Sequence, residues 1–342
     1  MTALTKPTRP EGHAGPRPVP WRRMAWVTWR QHRIALAGVT ALLGALAVYL
    51  WLTGLQMHHA YSAATACHPA SSFFCGNMID DFDNTYGPTA AAVAALLQVV
   101  PALIGAFVGA PVLARELETG TFRYAWTLGV GRRRWTLAKL VPLATAVAAA
   151  VGVFSLLFSW YYEPLFADGN QIPLAPTVFD VRGVAFAAWT LAAFAIGALA
   201  GMLIRRVVPA IAATLAAYTG LVLAVGLDLR QHYTTPLLTS NPNVPGSAWI
   251  ISQQWETKGG QPVSQSVLSQ VLQGAPQLAG KGGVPHSPNV TQYLMQHGYT
   301  QWTSYQPGSR FWPFQWIEGG WLLALSVLVI AATVWLVRRR AA

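Results

Sequence analysis

Charge is scarce in this sequence: only 10% of its 342 residues are Asp, Glu, Lys or Arg, where a soluble domain carries about a quarter. That scarcity argues against an ordinary water-soluble surface. Cysteine is scarcer still, with Cys67 and Cys75 the two in the chain, which excludes a disulfide-dense scaffold and a cysteine-rich metal module. No Gly-x-x-x-x-Gly-Lys-Ser/Thr run occurs, so this chain is not expected to cradle ATP in a phosphate loop. Nor does any Asp, Glu, Lys, Arg or His interrupt the long apolar runs as drawn below. Proton- and sodium-coupled carriers place such groups at mid-membrane to bind the coupling ion, so energy is expected to arrive from another polypeptide.

Apolar residues are abundant, 53% of the chain, and they fall in blocks of about twenty. The spacing predicts an all-α polytopic membrane protein with transmembrane helices at 34–54, 90–113, 140–160, 184–204, 208–227 and 319–337. Each run is long enough to cross about 30 Å of hydrocarbon. Arg205, Arg206 and Pro209 separate the fourth and fifth runs, which predicts a tight turn there. Orientation follows from the cations. Eighteen of the 23 Lys and Arg sit in the tails and the loops 2–3 and 4–5, against Arg182, Arg230, Lys258, Lys281 and Arg310 elsewhere. Both termini are therefore expected in the cytoplasm. The net charge of +11 follows from these flanking clusters, not from a periodic basic face, so no nucleic-acid partner is expected.

The chain divides accordingly. Residues 1–33 form a cytoplasmic tail and basic-aromatic segment, Trp21 to Arg33, that either lies as an interfacial helix or is a plain positive flank. The first apolar run is too long for a cleaved signal peptide. Residues 34–227 carry spans one to five, residues 228–318 are expected to form an extracytoplasmic cap, and 319–342 hold the sixth span and a basic tail. Within the cap, 261–275 predicts a short helix and 276–292 a loop. Trp312, Phe314, Trp316 and Trp321 predict an aromatic belt at the outer end of the sixth span.

Cys67 and Cys75 share the outer loop 55–89, where a local disulfide is the favoured reading. Free thiols are one alternative, and a metal site with the nearby His58, His59 and His68 is the other. Asp80, Asp81 and Asp83 in the same loop read as a solvated acidic face. Gly105/Gly109 and Gly197/Gly201 have the four-residue spacing that lets helices approach closely, within one subunit or between two. Pro101, Pro111 and Pro142 are candidate kinks in the second and third spans. Gln98, Ser155, Ser159 and Thr190 are intramembrane polar groups that either line a path or bond to their own helix.

The loop after the second span, 114–139, holds the most pattern. It runs from Arg115-Glu116-Leu117-Glu118-Thr119-Gly120-Thr121 through Phe122, Arg123 and Trp126 to the cluster Arg132-Arg133-Arg134 and Lys139. An acidic turn, a Gly-Thr break and a short apolar-aromatic stretch facing the cytoplasm imply a protein partner. This pattern, Arg-Glu-x-Glu-x-Gly-Thr followed by an apolar stretch and a basic cluster, resembles the ABC-2-type permease family of ABC exporters. The six-span layout with a large outer loop between the last two spans is similar to the G subfamily.

The resemblance implies a non-catalytic membrane subunit of an ATP-driven exporter in the plasma membrane, moving a hydrophobic or amphipathic substrate. Arg115, Glu116, Glu118, Gly120, Thr121, Phe122, Arg123 and Trp126 would then contact a separate ABC ATPase subunit. That partner would hold ATP and Mg, this chain itself having no cofactor, metal or catalytic residue. A second permease protomer, identical or homologous, and the lipid bilayer complete the expected partners. Two other classes stand beside this one. A membrane sensor whose cap binds a ligand is one; a membrane enzyme, for which Glu116 and Glu118 are the neighbouring inner carboxylates, is the other.

Overall fold

Runs of Ala, Leu and Val without water to satisfy their peptide groups must bond within themselves, and the helix is the way a single segment does so. The computed structural model describes residues 20–69, 72–121, 131–167, 169, 171–273 and 288–340. Within them six helical segments are long and apolar enough to cross a membrane. The first span belongs to the helix Trp21–Thr65, the second to Phe73–Thr119, the third to Arg132–Ala167, the fourth to Gly183–Ile204, the fifth to Val207–His232 and the sixth to Phe311–Arg340. The chain is thus a mostly helical, multi-pass membrane protein. The start of the first helix and the end of the last both meet the start of the third, through Gln31 and Arg338; that end of the bundle is called terminal here and the other distal.

Several helices outrun the apolar windows that announce them. The first is 45 residues, about 67 Å at 1.5 Å per residue. It runs unbroken through 21–33, because neither Gly nor Pro occurs between Trp21 and Gly38. At the distal end the first and second helices extend to a short connection. There the Cys67–Cys75 disulfide joins them, with 5.6 Å between Cα atoms. Most of the stretch 55–89 is therefore helix, not loop. His58 bonds to the Trp160 carbonyl at 3.0 Å and stacks on that ring at 4.7 Å, fixing the first span to the third. Among the described residues no three His, Cys, Asp or Glu side chains gather as metal ligands.

The second span is irregular where its prolines withdraw N–H donors. The helix is interrupted at Gln98, three residues before Pro101, and Gly105–Gly109 forms a π turn just before Pro111. The Ala110 N–H there reaches back to the Gly105 carbonyl. A second π turn, Val225–Leu229, widens the end of the fifth span and turns Arg230 inward to full burial.

The fourth span is the centre of the bundle: 67% of its apolar window is buried, against 11% in the first. Its tight approach to the second depends on glycine. A Cβ on Gly105 would lie 2.6 Å from the Ala193 carbonyl oxygen, and one on Gly109 would lie 2.6 Å from that of Phe194. Gly197 and Gly201 face back onto the backbone of Gly105 and Ala110. Both four-residue glycine pairs therefore meet each other inside one chain. The fourth span ends at Arg205 with φ +58°, giving a turn of two residues before Val207.

Between the fifth and sixth spans the chain adds a small sheet to an otherwise helical fold. β1 (Leu237–Thr239), β2 (Trp249–Thr257) and β3 (Tyr299–Gln306) pair antiparallel in the order β1-β3-β2. Helices Gln265–Gln273 and Pro288–Gln296 pack Leu268, Val290 and Leu294 on Trp255. The first of these lies inside the stretch 261–275 where a helix is expected. The second begins inside the stretch 276–292 read as loop, whose first part, to 287, lies outside the described residues.

Candidate functional site

At the terminal end the second span closes with the amphipathic turn Ala110–Thr119, stopped by Gly120 in the left-handed region at φ +72°. Glycine enters that region without steric cost. The turn buries Ala110, Val112, Leu113 and Ala114 and leaves its polar face free to engage the starts of two other spans.

Glu116 forms an ion pair with Lys139, which begins the third span. Both are largely buried, with side-chain exposures of 16% and 6%. The Lys139 ammonium also donates to Gln31 Oε1 on the first helix at 3.3 Å, and lies 4.9 Å from the centre of the Trp135 ring. One charge pair thus ties the ends of the first three spans. Lys139 could not be left alone there, because a buried ammonium without a partner is costly.

Glu118 serves another helix. Its Oε2 accepts the Val207 backbone N–H at 3.0 Å. The fifth span has no side-chain cap of its own, Arg206 at the N-cap making none. A carboxylate fits there because the first turn of a helix has unsatisfied N–H groups and a positive end of the dipole. Thr119 Oγ1 donates to the Arg115 carbonyl at 2.9 Å and meets Thr121 Oγ1 at 3.1 Å, which completes the turn. Arg132, opening the third helix, donates to the Arg338 carbonyl at 3.4 Å and so ties in the sixth.

Beside this knot lies a cleft of about 880 Å³. Ile34, Phe107, Pro111, Val112 and Val207 give it an apolar wall, while Gln31, Arg115, Glu116, Thr119 and Thr121 form its polar end. A space with that division suits a molecule that has an apolar body and a polar head.

Of the residues singled out in the loop, Arg115, Glu116, Glu118, Gly120 and Thr121 are brought together here; Phe122, Arg123 and Trp126 lie outside the described residues. Glu116 and Glu118, equally acidic in the sequence, have separate structural partners. The glycine pairs lie deeper, on the seam between the second and fourth spans. Ser159 and Thr190 bond to their own helices, whereas Gln98 and Ser155 reach the segment before the fourth span.

The sequence reading missed a second polar cluster, at the distal end. Arg230 and Glu318 are both fully buried and stand on the fifth and sixth spans, just beyond the apolar windows that defined those spans. The available signal was their position, beside the ends of apolar runs in chain segments poor in charge. Apolar windows end where charge begins, but these helices continue past that point.

A family model described as ABC-2 membrane transporter related matches residues 40–230. No curated protein and no solved structure matches the chain.

Proposed function

The chain belongs to the ABC-2 membrane transporter related family, and on that premise we propose that it is the membrane-spanning permease subunit of an ATP-driven exporter. Its termini and the loop 114–139 face the cytoplasm, as the cation distribution favours. A separate ATPase subunit binds that loop and supplies ATP and Mg. Two such protomers, identical or homologous, assemble in the plasma membrane with two ATPases. Phe122 and Trp126 supply the apolar contact to the partner, and Arg115, Gly120, Thr121 and Arg123 shape the surface around it.

The observation that carries this reading is the double attachment of the acidic turn: Glu116 to Lys139 and Glu118 to Val207. Force on the turn would reach the second, third and fifth spans through these two bonds. The glycine seam then couples the second span to the fourth. Such close-packed elements move as bodies between discrete arrangements. The 880 Å³ cleft, open beside the turn, supports an amphipathic substrate taken up from the cytoplasmic half of the membrane.

The test is reconstitution. The chain purified in mild detergent should bring an ATPase with it, and hydrolysis by that complex should fall to the level of the isolated ATPase when Glu118 or Phe122 is replaced by Ala. Unchanged hydrolysis in both variants, with the complex intact, refutes the assignment.

A further inference from the structure

The small sheet between the fifth and sixth spans leaves part of one strand edge and one buried donor unused. β2 is an edge strand, with β3 paired along one side of it. On the other side, the return segment 258–263 covers just the end of β2. Thr257 N–H donates to the Gln261 carbonyl at 3.0 Å, Val263 N–H donates to the Trp255 carbonyl at 2.8 Å, and Glu256 stands opposite Pro262. After Val263 the chain turns away into the helix Gln265–Gln273. Main-chain groups alternate sides along a strand, so Gln253, two positions before Trp255, directs its N–H and carbonyl to this same edge. Among the described residues no backbone group bonds to them there. An open strand edge is a template for pairing with another extended chain.

A cavity of about 130 Å³ lies where the return segment leaves β2. Gln253, Gln254 and Trp255 line it from β2, Val263 from the return segment, and Gln265 and Leu268 from the helix. It has room for about four waters, or for one side-chain amide. Trp255 is 3% exposed and packs with Leu268, Val290 and Leu294. Its indole Nε1 is buried and, among the described residues, has no acceptor. A buried indole N–H ordinarily finds one. The lining carries no charge, so selection there works through hydrogen bonds, and each glutamine amide both donates and accepts.

We propose that this edge is a docking site for an extended peptide, which continues the pairing past Val263 onto Gln253 and places one Asn or Gln side chain in the cavity. The amide carbonyl of that side chain accepts from Trp255 Nε1. A carboxylate is disfavoured, because no cation lines the cavity to pair with it. The bulge between Ile250 and Ser252 interrupts the alternation, so the paired stretch is short and the cavity supplies the selectivity. This inference uses the sheet alone and does not depend on the transporter reading.

Random heptapeptides displayed on phage and panned on the full chain in lipid nanodiscs, with empty nanodiscs subtracted, supply the probe. Enriched peptides should carry Asn or Gln at a fixed position. The strongest of them, labelled with a fluorophore, should bind in an anisotropy titration, and methylating its backbone nitrogens one at a time should weaken binding at alternate positions. Trp255→Phe keeps a ring and removes the N–H, and should weaken binding about three- to tenfold. Gln253→Pro removes the N–H on the open edge, where a strand tolerates proline. It should weaken binding about tenfold or more with the thermal melt unchanged. No enrichment over empty nanodiscs overturns the site, and so does equal binding to the parent, Trp255→Phe and Gln253→Pro chains. The chain's two cysteines are joined to each other, so Gln253→Cys introduces the free thiol. Efficient disulfide dimers of that variant would make a second copy the occupant and overturn the peptide.

Discussion

The Glu118 carboxylate accepts the backbone N–H of Val207 at 3.0 Å, so the turn that ends the second span also caps the fifth. Two helices that are 89 positions apart at this contact therefore share one terminal bond. A partner pressing on the loop meets structure that already connects the spans. Glu118→Ala removes one helix cap, worth about 1 kcal/mol, and should leave insertion and most of the stability intact. Coupling should suffer far more, and ATP hydrolysis by the complex measured beside a thermal melt separates the two effects.

Glu116 and Lys139 should show the non-additivity of a buried pair. Glu116→Gln strands a buried ammonium and should cost about 3 kcal/mol or more. Glu116→Gln combined with Lys139→Met should be less damaging than the single change. Unfolding midpoints of the two single variants and the double variant give the coupling directly, and simple additivity would remove the pair from the account.

The glycine seam predicts a sharp contrast between two chemically equal changes. Gly197→Ala drives a methyl into the Gly105 and Ala110 backbone, which cannot swing aside as a side chain can. It should destabilise by roughly 1–3 kcal/mol or more. Gly44→Ala, on the first span with nothing within 4 Å of the added carbon, should change stability by less than about 1 kcal/mol. Thermal melts in detergent compare them.

Asp180 gives the pH dependence. Burial and the nearby Glu318 push its carboxyl up to about 7, against the pull of Arg230. The folded protein therefore holds a proton there that the unfolded chain gives up near the ordinary value of 3.8. Its contribution to stability is complete below that ordinary value and is lost as pH rises through about 7. The groups facing it are Arg230 and Tyr218 on the fifth span and Glu318 on the sixth. The melting temperature should fall between about pH 4 and about pH 7, and Asp180→Asn should flatten that part of the fall.

The six crossings were readable because apolar runs of about twenty residues have few other physical explanations. The turn at Arg205 and Arg206 was equally plain, since two charges between such runs leave no room for a longer connection. Helix ends were not readable. An apolar window marks the hydrocarbon, whereas the Phe73–Leu97 helix begins well before its window, among Asp80, Asp81 and Asp83. The sheet was hidden for a different reason. Strands such as Tyr299–Gln306 space their aromatics every third residue among Thr, Gln and Ser, which misses the two-residue period of a strand and resembles loop composition. The sequence marked Glu116 and Glu118 but not their partners. Lys139 and Val207 come to them through helix packing that no local pattern encodes. Arg230, Glu318 and Asp180 were dispersed over flanks that the sequence reading treated as loop.

The central claim is that this chain receives its work through the loop 114–139 from a nucleotide-hydrolysing partner. The most direct measurement is ATP hydrolysis by the complex that co-purifies with the chain in mild detergent, with wild-type and Glu118→Ala chains compared at equal complex recovery. The account predicts stimulated hydrolysis with the wild-type chain and its loss in the variant. A chain that purifies alone yet drives solute uphill into vesicles would contradict it.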